Sequence, residues 1–245
     1  MPFYPYPLFL GLAIGVALNE FHKKLKLSSY SLPVRPSLFY FSILFIFFIF
    51  SKLLFLFSLY SLELSEKLIK DSNFWLGGGF VFYGGAIGII LLIFFWKKQN
   101  PNHSLEYLGP LATSLCLGHA IGRLGCFFAP CCFGAPLDHT HLFSVFQQGE
   151  WRHPVQLYES FLLFILWYFL TFIEEKFNLK GIKIFFLYLF LYSFLRFFLE
   201  FFRGDFIRGT LFIFSTSQFI ALLIFTFSLF YYFFYMIQYL DSRKK

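Results

Sequence analysis

SLFYFSILFIFFIFSKLLFLFSL, residues 37–59, carries one charged side chain, Lys52, among its 23 positions. A helix of roughly 20 apolar residues is long enough to cross the hydrocarbon core of a bilayer, which is about 30 Å thick. Inside that core each backbone N–H and C=O group needs a partner, and a helix supplies those partners within one segment. Residues 37–59 therefore predict a membrane-spanning helix.

The composition of the whole chain agrees with this prediction. Its 245 residues are 58% hydrophobic, 25% aromatic and 13% charged, whereas about 25% of the residues in a soluble domain are charged. The 43 Phe residues outnumber the 20 Lys and Arg and the 13 Asp and Glu residues together. Disordered chains are poor in apolar residues, and four Cys residues are too few for a disulfide scaffold. We expect an all-α, polytopic membrane protein that forms a single integral membrane domain over residues 1–245.

The distribution of basic residues gives an expected orientation. Twelve Lys and Arg residues lie in the connections on one side of the expected spans and five on the other. The side richer in basic residues faces the cytoplasm, so the N-terminus is expected outside and the C-terminus inside. No basic segment precedes the first span, so no cleavable signal peptide is expected. The net charge of +7 does not indicate a nucleic-acid partner, because the basic residues lie in short loops. Seven spans are expected, over residues 6–19, 37–59, 74–96, 107–125, 155–173, 184–202 and 211–239.

The fourth span ends in GHAIGRLGC, residues 118–126. An Arg at the centre of a membrane helix costs about 2.5–3.5 kcal/mol on insertion scales, and the guanidinium fork of Arg123 suits the phosphate of an anionic lipid. His119 lies four residues earlier, on the same helical face, as a candidate base or hydrogen-bond donor. Snorkelling of Arg123 to the headgroups and helix–helix hydrogen bonding by His119 are the structural alternatives.

Three cysteines, Cys126, Cys131 and Cys132, follow on the side expected to face outside. An oxidising compartment permits a disulfide from Cys126 to one of the adjacent pair. A catalytic thiol and a metal site that includes the nearby His139 and His141 are the alternatives.

The segment HPVQLYE, residues 153–159, opens the fifth span. Gln156 and Glu159 are three residues apart and share a face, which can line a polar mouth together with Tyr158. His153 is a candidate general base, because the ordinary pKa of histidine lies near neutral. An interfacial cap with aromatic anchoring is the alternative.

The sixth span carries a polar stripe of Tyr192, Arg196, Glu200 and Arg203, whose members are three or four residues apart. Arg196 and Glu200 have the spacing of an ion pair on one helical face. Charged residues inside a membrane helix indicate a functional site by default, and a purely structural ion pair is the alternative.

Glycines cluster at the start of the third span, in GGGFVFYGGAIG, residues 77–88. So many glycines weaken a helix. They favour either close helix packing or a backbone exposed to a ligand, with Gly84, Gly85 and the Tyr83 hydroxyl at a cavity.

Taken together, these motifs resemble the prolipoprotein diacylglyceryl transferase family over about residues 74–218. The resemblance implies a bacterial cytoplasmic (inner) membrane enzyme with its active site toward the outer leaflet. Family members transfer a diacylglyceryl group from phosphatidylglycerol to the lipobox cysteine thiol of a prolipoprotein and release glycerol phosphate, without a metal or cofactor. The matching segments are residues 79–88, 122–134, 153–159 and 192–205.

The chain departs from the family signature at three positions. Cys126 stands where the family usually has Asn, Cys131 stands where it has Glu, and Tyr83 stands where His is common. The chain is therefore similar to a cysteine-rich variant branch of the family.

The expected reaction is displacement at a glyceryl carbon, in which arginines stabilise the charge that develops on the leaving phosphate. The expected catalytic residues are Arg123, Arg196, Glu200, His153 and Tyr192. The expected substrate-binding residues are Tyr83, Gly84, Gly85, His119, Gly134, Gln156, Tyr158 and Arg203. Three alternatives stay open: a transporter or flippase for an anionic lipid, a membrane thiol oxidoreductase that uses Cys126, Cys131 and Cys132, and a non-catalytic scaffold.

Overall fold

A computed structural model describes most of the chain. The described residues are 6–28, 32–58, 69–70, 74, 82–99, 101, 105–129, 132–138, 140, 143–204, 210–211 and 214–243. Seven helices of 18 or more residues occur in this part of the chain: α1 (Tyr6–Ser28), α2 (Pro36–Ser58), α3 (Phe82–Gln99), α4 (Leu108–Phe128), α5 (Val155–Phe177), α6 (Ile182–Leu199) and α7 (Thr216–Arg243).

The predicted fold class, an all-α polytopic membrane protein, is confirmed. Five of these helices are long and apolar enough to cross a membrane: α2, α4, α5, α7, and α6 together with the 3₁₀ turn Glu200–Phe202 that continues it. Helix α1 runs nine residues past its predicted end, because Phe21 and Leu25 are buried and the Glu and Lys residues of this stretch favour helix. The third span was predicted from residue 74, whereas α3 is described from Phe82 and residues 75–81 lie outside the described part.

The chain divides into two compact units, Met1–Tyr30 with Leu105–Lys245, and Ser31–Ser104. A single domain over residues 1–245 therefore stays a prediction. In the smaller unit α2 packs on α3, and the glycines of α3 are required for this contact. A Cβ on Gly84 or Gly85 would collide with the backbone of Phe50 or the ring of Phe47, which supports the packing interpretation of the glycine-rich motif.

In the larger unit α4 is the central helix and packs against α1, α5 and α6, while α7 packs on α6. Small side chains fill the centre: Ala112, Cys116 and Ala120 on α4 have no solvent exposure. Large aromatic side chains point outward, as with Phe161 and Tyr168 on α5, which are 66% and 69% exposed. This arrangement is typical of helices whose outer surface faces lipid.

A short β-hairpin precedes α5. Strand β1 (Val145–Gln147) pairs antiparallel with β2 (Glu150–Arg152). The two-residue turn between them has positive φ at Gln148 (57°) and Gly149 (80°), as a type I′ hairpin turn requires.

A second pair of strands, β3 (Thr210–Leu211) and β4 (Phe214–Ser215), leads into α7. Ser215 and Gln218 form a reciprocal cap at the start of this helix: the Gln218 N–H donates to Ser215 Oγ and the Ser215 N–H donates to Gln218 Oε1. The cap fixes the entry of α7 beside the polar end of α6.

Candidate functional site

A buried carboxylate is the centre of the polar cluster in the larger unit. Glu159, in the second turn of α5, is 1% exposed. Arg123 Nη2 lies 2.9 Å from Glu159 Oε1, and His119 Nε2 lies 3.6 Å from the same oxygen. Because Arg123 and His119 are four residues apart on α4, one helical face brings both to this carboxylate.

Helix α6 supplies further groups to this carboxylate. The Tyr192 hydroxyl donates to Glu159 Oε1 at 3.1 Å, and Arg196 Nη1 lies 3.6 Å from Glu159 Oε2. The edge of the His119 ring meets the Tyr192 ring, with 5.3 Å between ring centroids. Arg123 and Arg196 therefore bind one carboxylate from two helices.

A second carboxylate extends the cluster toward the end of α6. Arg196 Nη2 lies 2.6 Å from Glu200 Oε2, and Arg203 Nε lies 3.7 Å from the same oxygen. Helix α7 contributes through its first turn and the residue before it, because Arg196 Nη2 donates to Ser217 Oγ at 3.4 Å and Ser215 Oγ donates to Glu200 Oε1 at 3.0 Å. The predicted polar stripe of α6 thus meets polar groups on α5 and α7.

Among the described residues, arginines outnumber carboxylates in the cluster. Three guanidinium groups, of Arg123, Arg196 and Arg203, face two carboxylates, of Glu159 and Glu200. Their side chains are 12% exposed or less, and buried ions need close partners. A nearly dry site that is rich in arginine suits an anion, and guanidinium forks are the groups that bind phosphate oxygens in two-point geometry.

A tight loop crossing holds one end of the cluster in place. Gly134 forms an isolated antiparallel bridge with Arg203, and the Gly204 N–H donates to Phe133 O at 3.2 Å. A Cβ on Gly134 would collide with the carbonyl oxygen of His153, and one on Gly204 would collide with the carbonyl of Gly134. Both glycines are needed for the backbones to approach each other here.

The structure brings together six of the predicted site residues: Arg123, Arg196, Arg203, Glu200, Tyr192 and His119. Gln156 is also buried, one turn before Glu159 on α5.

Five other predicted residues do not belong to this cluster of ion pairs. The His153 ring contacts those of Tyr158 and Phe202, with centroids 6.2 Å and 5.4 Å away. Gly84 and Gly85 lie in the smaller unit, and the side chain of Tyr83 lies outside the described part of the chain.

The described cysteines, Cys116, Cys126 and Cys132, form no disulfide with one another in the structure. Cys126 lies three residues after Arg123 on α4. Cys131, His139 and His141 lie outside the described residues, so the disulfide stays a prediction. Among the described residues no group of three His, Cys, Asp or Glu side chains is placed to hold a metal ion.

Sequence reasoning missed the role of Glu159 as the hub of the cluster. The available signal was charge: three arginines near one end of the membrane helices need carboxylate partners, and Glu159 is a glutamate five positions into a span. The sequence placed Glu159 at a polar mouth with Gln156 but did not pair it with an arginine.

The fold and the cluster define a class, a polytopic helical membrane protein with a buried, arginine-rich polar cluster at one end of its helices. A family model described as prolipoprotein diacylglyceryl transferase matches residues 1–234. The chain belongs to this family, as the sequence motifs predicted.

Similar proteins from clostridia carry a consistent name. The chain is 34% identical over 163 residues to the phosphatidylglycerol–prolipoprotein diacylglyceryl transferase of Clostridium tetani, a match that covers 64% of this chain and 63% of that protein. It is 33% identical over 120 residues to the Clostridium botulinum (strain Loch Maree) protein of the same name, covering 46% of this chain and 47% of the relative. It is 32% identical over 158 residues to the phosphatidylglycerol–prolipoprotein diacylglyceryl transferase 2 of Clostridium perfringens, a match that covers 60% of this chain and 59% of that protein.

The chain thus matches between about half and two thirds of the length of these relatives. Their names describe transferases, so they do not favour the transporter, thiol oxidoreductase or scaffold alternatives.

Proposed function

We propose that this protein transfers the diacylglyceryl group of phosphatidylglycerol to the lipobox cysteine thiol of a prolipoprotein. The observation that carries the proposal is the convergence of Arg123 and Arg196 on the buried Glu159 carboxylate. Family membership and the names of the relatives supply the substrates in this proposal.

The phosphate of phosphatidylglycerol is the anion proposed for the cluster. A phosphodiester carries one negative charge, and among the described residues the three arginines of the cluster outnumber its two glutamates. When the lipid binds, its phosphate oxygens accept hydrogen bonds from Arg123 and Arg196, the two guanidinium groups that otherwise face Glu159. Glu200 keeps Arg196 and Arg203 oriented toward the same point.

The reaction proposed for this site is a displacement. The thiolate sulfur of the prolipoprotein forms a C–S bond to the glyceryl carbon, and the C–O bond to phosphate breaks with its electron pair going to the leaving oxygen. The arginines stabilise the charge that develops on that oxygen, and each such preorganised donor typically contributes about 3–4 kcal/mol. The thiol proton passes to a base, and we assign this role to His153. We propose that His119 donates a hydrogen bond to the lipid, because His119 and Arg123 contact the same oxygen of Glu159.

The location proposed for the site is the outer leaflet of the bacterial cytoplasmic membrane. Arg123 lies near the end of α4, Glu159 near the start of α5 and Glu200 just after α6, so all three lie at the same end of the helices. The uneven distribution of basic residues supports an outside location for this end. Both substrates are anchored in the membrane, so the site is proposed to open sideways to lipid.

The test uses the full chain in phosphatidylglycerol vesicles with a lipobox peptide. Mass spectrometry would detect the diacylglyceryl group on the peptide thiol and glycerol phosphate in solution. We expect the unmodified chain to form both products and Arg196→Ala to lose at least about 100-fold in rate. Lys180→Gln, which removes an exposed charge at the opposite end of the helices, is the control and should keep full activity. The proposal would be ruled out if the unmodified chain formed neither product, or if Arg196→Ala transferred the group as fast as the unmodified chain.

A further inference from the structure

The β-hairpin before α5 has one aromatic face and one polar face. Because Phe146 lies directly opposite Trp151 in the strand register, their side chains emerge on the same face, with ring centroids 5.5 Å apart. The flanking pairs, Val145 with Arg152 and Gln147 with Glu150, emerge on the other face. Phe146 is 60% exposed and Trp151 is 44% exposed, so the aromatic face is open.

The polar face of the hairpin is fastened to the body of the larger unit. Arg152 Nη1 donates to the Gly134 carbonyl at 3.0 Å, and its guanidinium lies 4.7 Å from the centre of the Phe133 ring. Gln147 Nε2 donates to the carbonyl of Phe127, in the last turn of α4, at 3.3 Å. These contacts orient the hairpin with its aromatic face directed away from the protein.

The hairpin lies at the level at which the membrane helices end. It contacts the end of α4 through Gln147, and two residues separate its last strand from the first residue of α5. The same helix ends carry exposed aromatic side chains: Phe128 closes α4 and is 51% exposed, and Phe201, in the turn after α6, is 62% exposed. The aromatic face of the hairpin therefore lies at the same height as the exposed aromatic side chains at the helix ends.

We propose that the aromatic face of this hairpin, formed by Phe146 and Trp151, inserts into the headgroup region of the bilayer as an interfacial anchor. Trp and other aromatic side chains favour this region because one part of the ring is apolar and, in Trp, the N–H keeps a polar partner. The partner of this face is the lipid surface, and this inference depends on membrane embedding only, not on the proposed transfer activity.

The anchor has a consequence for the site. Arg152 holds the Gly134 carbonyl, and Gly134 pairs with Arg203 of the buried cluster. The depth of the hairpin in the interface therefore fixes the depth of the arginines relative to lipid phosphates.

The experiment measures the depth of Trp151 in the full chain reconstituted in phosphatidylcholine and phosphatidylglycerol vesicles. Trp75, Trp96 and Trp167 are replaced by Phe, which leaves Trp151 as the sole fluorophore among the four Trp residues. We expect phospholipids brominated near the top of the acyl chain to quench the fluorescence of Trp151. Aqueous iodide should quench it at least threefold less than these lipids do. The matched control moves the fluorophore one residue to the opposite face, as Glu150→Trp with Trp151→Phe, and should reverse this preference.

Equal lipid quenching at the two positions, or stronger quenching of Trp151 by iodide, overturns the proposal. Lipid quenching of Trp151 that is lost when a lipobox peptide is added also overturns it, because the face would then dock the acceptor. A second measurement needs no substitution: a diazirine-bearing phospholipid is photoactivated with the unmodified chain, and labelled residues are mapped by mass spectrometry. Label on Phe146 and Trp151 but not on Gln147 supports the anchor, and an unlabelled hairpin contradicts it even if the Trp variants fail to fold.

Discussion

Arg123 on α4 lies 2.9 Å from the carboxylate of Glu159 on α5, and both side chains are largely buried. This carboxylate also meets Arg196, at 3.6 Å. Glu159 thus lies between two guanidinium groups, at the point where we propose that the lipid phosphate binds. In the proposed reaction it keeps the arginines oriented while no lipid is bound, which reduces the reorganisation needed when phosphate enters.

Glu159→Ala is expected to destabilise the protein strongly. Removing one partner of a buried ion pair typically costs about 3–5 kcal/mol, because the other charges stay buried without compensation. Glu159→Gln should cost less, because the amide oxygen still accepts the hydrogen bond from Tyr192. Thermal unfolding in one detergent gives the unfolding temperatures of the unmodified chain, Glu159→Gln and Glu159→Ala, which we expect to fall in that order.

The control for this prediction is Glu150→Gln. Glu150 is also paired with an arginine, Arg152, but its side chain is 55% exposed. Exposed pairs contribute about 0–1 kcal/mol, so this variant should unfold close to the unmodified chain. Equal destabilisation by Glu159→Ala and Glu150→Gln would contradict the role given to Glu159.

Arg196→Lys is expected to be nearly as inactive as Arg196→Ala. Arg196 contacts Glu159 through Nη1 and Glu200 through Nη2, and a single ammonium group cannot span both carboxylates. We expect a loss of about 100-fold or more in transfer rate, the typical effect of removing one preorganised donor. A lysine variant with more than a tenth of full activity would show that charge alone suffices at this position.

Gly134→Ala is expected to abolish activity because it displaces the loop that holds Arg203, not because it removes a reacting group. A Cβ at this position meets the His153 backbone and comes within 2.8 Å of Val155 Cγ2, so the bridge to Arg203 has to open. Gly122→Ala is the matched control, since nothing lies within 4 Å of a Cβ there although the residue adjoins Arg123. Rates of both variants in the vesicle assay, with unfolding temperatures, test the difference; an inactive Gly122→Ala with an active Gly134→Ala would refute this account.

The sequence was sufficient for the parts of the fold that depend on composition and spacing. The polar stripe of α6 follows from helical periodicity, and the pairing of Arg196 with Glu200 follows from their four-residue spacing. The face shared by His119 and Arg123 follows from the same rule.

The contacts between helices could not be predicted in this way. Which residue of α5 meets Arg123 depends on helix crossing and rotation, and these are set by packing of small residues such as Gly118 against Ala17 on α1. The sequence therefore indicated a polar mouth at Gln156 and Glu159 but not that Glu159 is the hub. The hairpin was also missed, because its three-residue strands are too short to give a periodic signal.

The two histidines are expected to affect different kinetic parameters. His153→Gln should lower kcat and remove the dependence of kcat on pH near neutrality, because a general base is lost. His119→Gln should mainly raise KM for phosphatidylglycerol, because a donor to the bound lipid is lost while the base is retained. Rate measurements across pH 5 to 9 separate the roles, and an unchanged pH profile for His153→Gln would transfer the role of base to another group.

The cysteines test the transferase against the thiol oxidoreductase alternative. Cys126 lies three residues after Arg123 on α4, but no step of the proposed displacement passes through the sulfur atoms of the cysteines, since the attacking thiol belongs to the acceptor. Replacing Cys126, Cys131 and Cys132 together by Ala should therefore keep transfer within about tenfold of the unmodified chain, the effect of a change of about 1.4 kcal/mol. An oxidoreductase would lose all activity in this variant, because no thiol pair is left to exchange electrons. Complete loss of transfer with an unchanged unfolding temperature would place a cysteine in the chemistry and require a mechanism with a covalent enzyme intermediate.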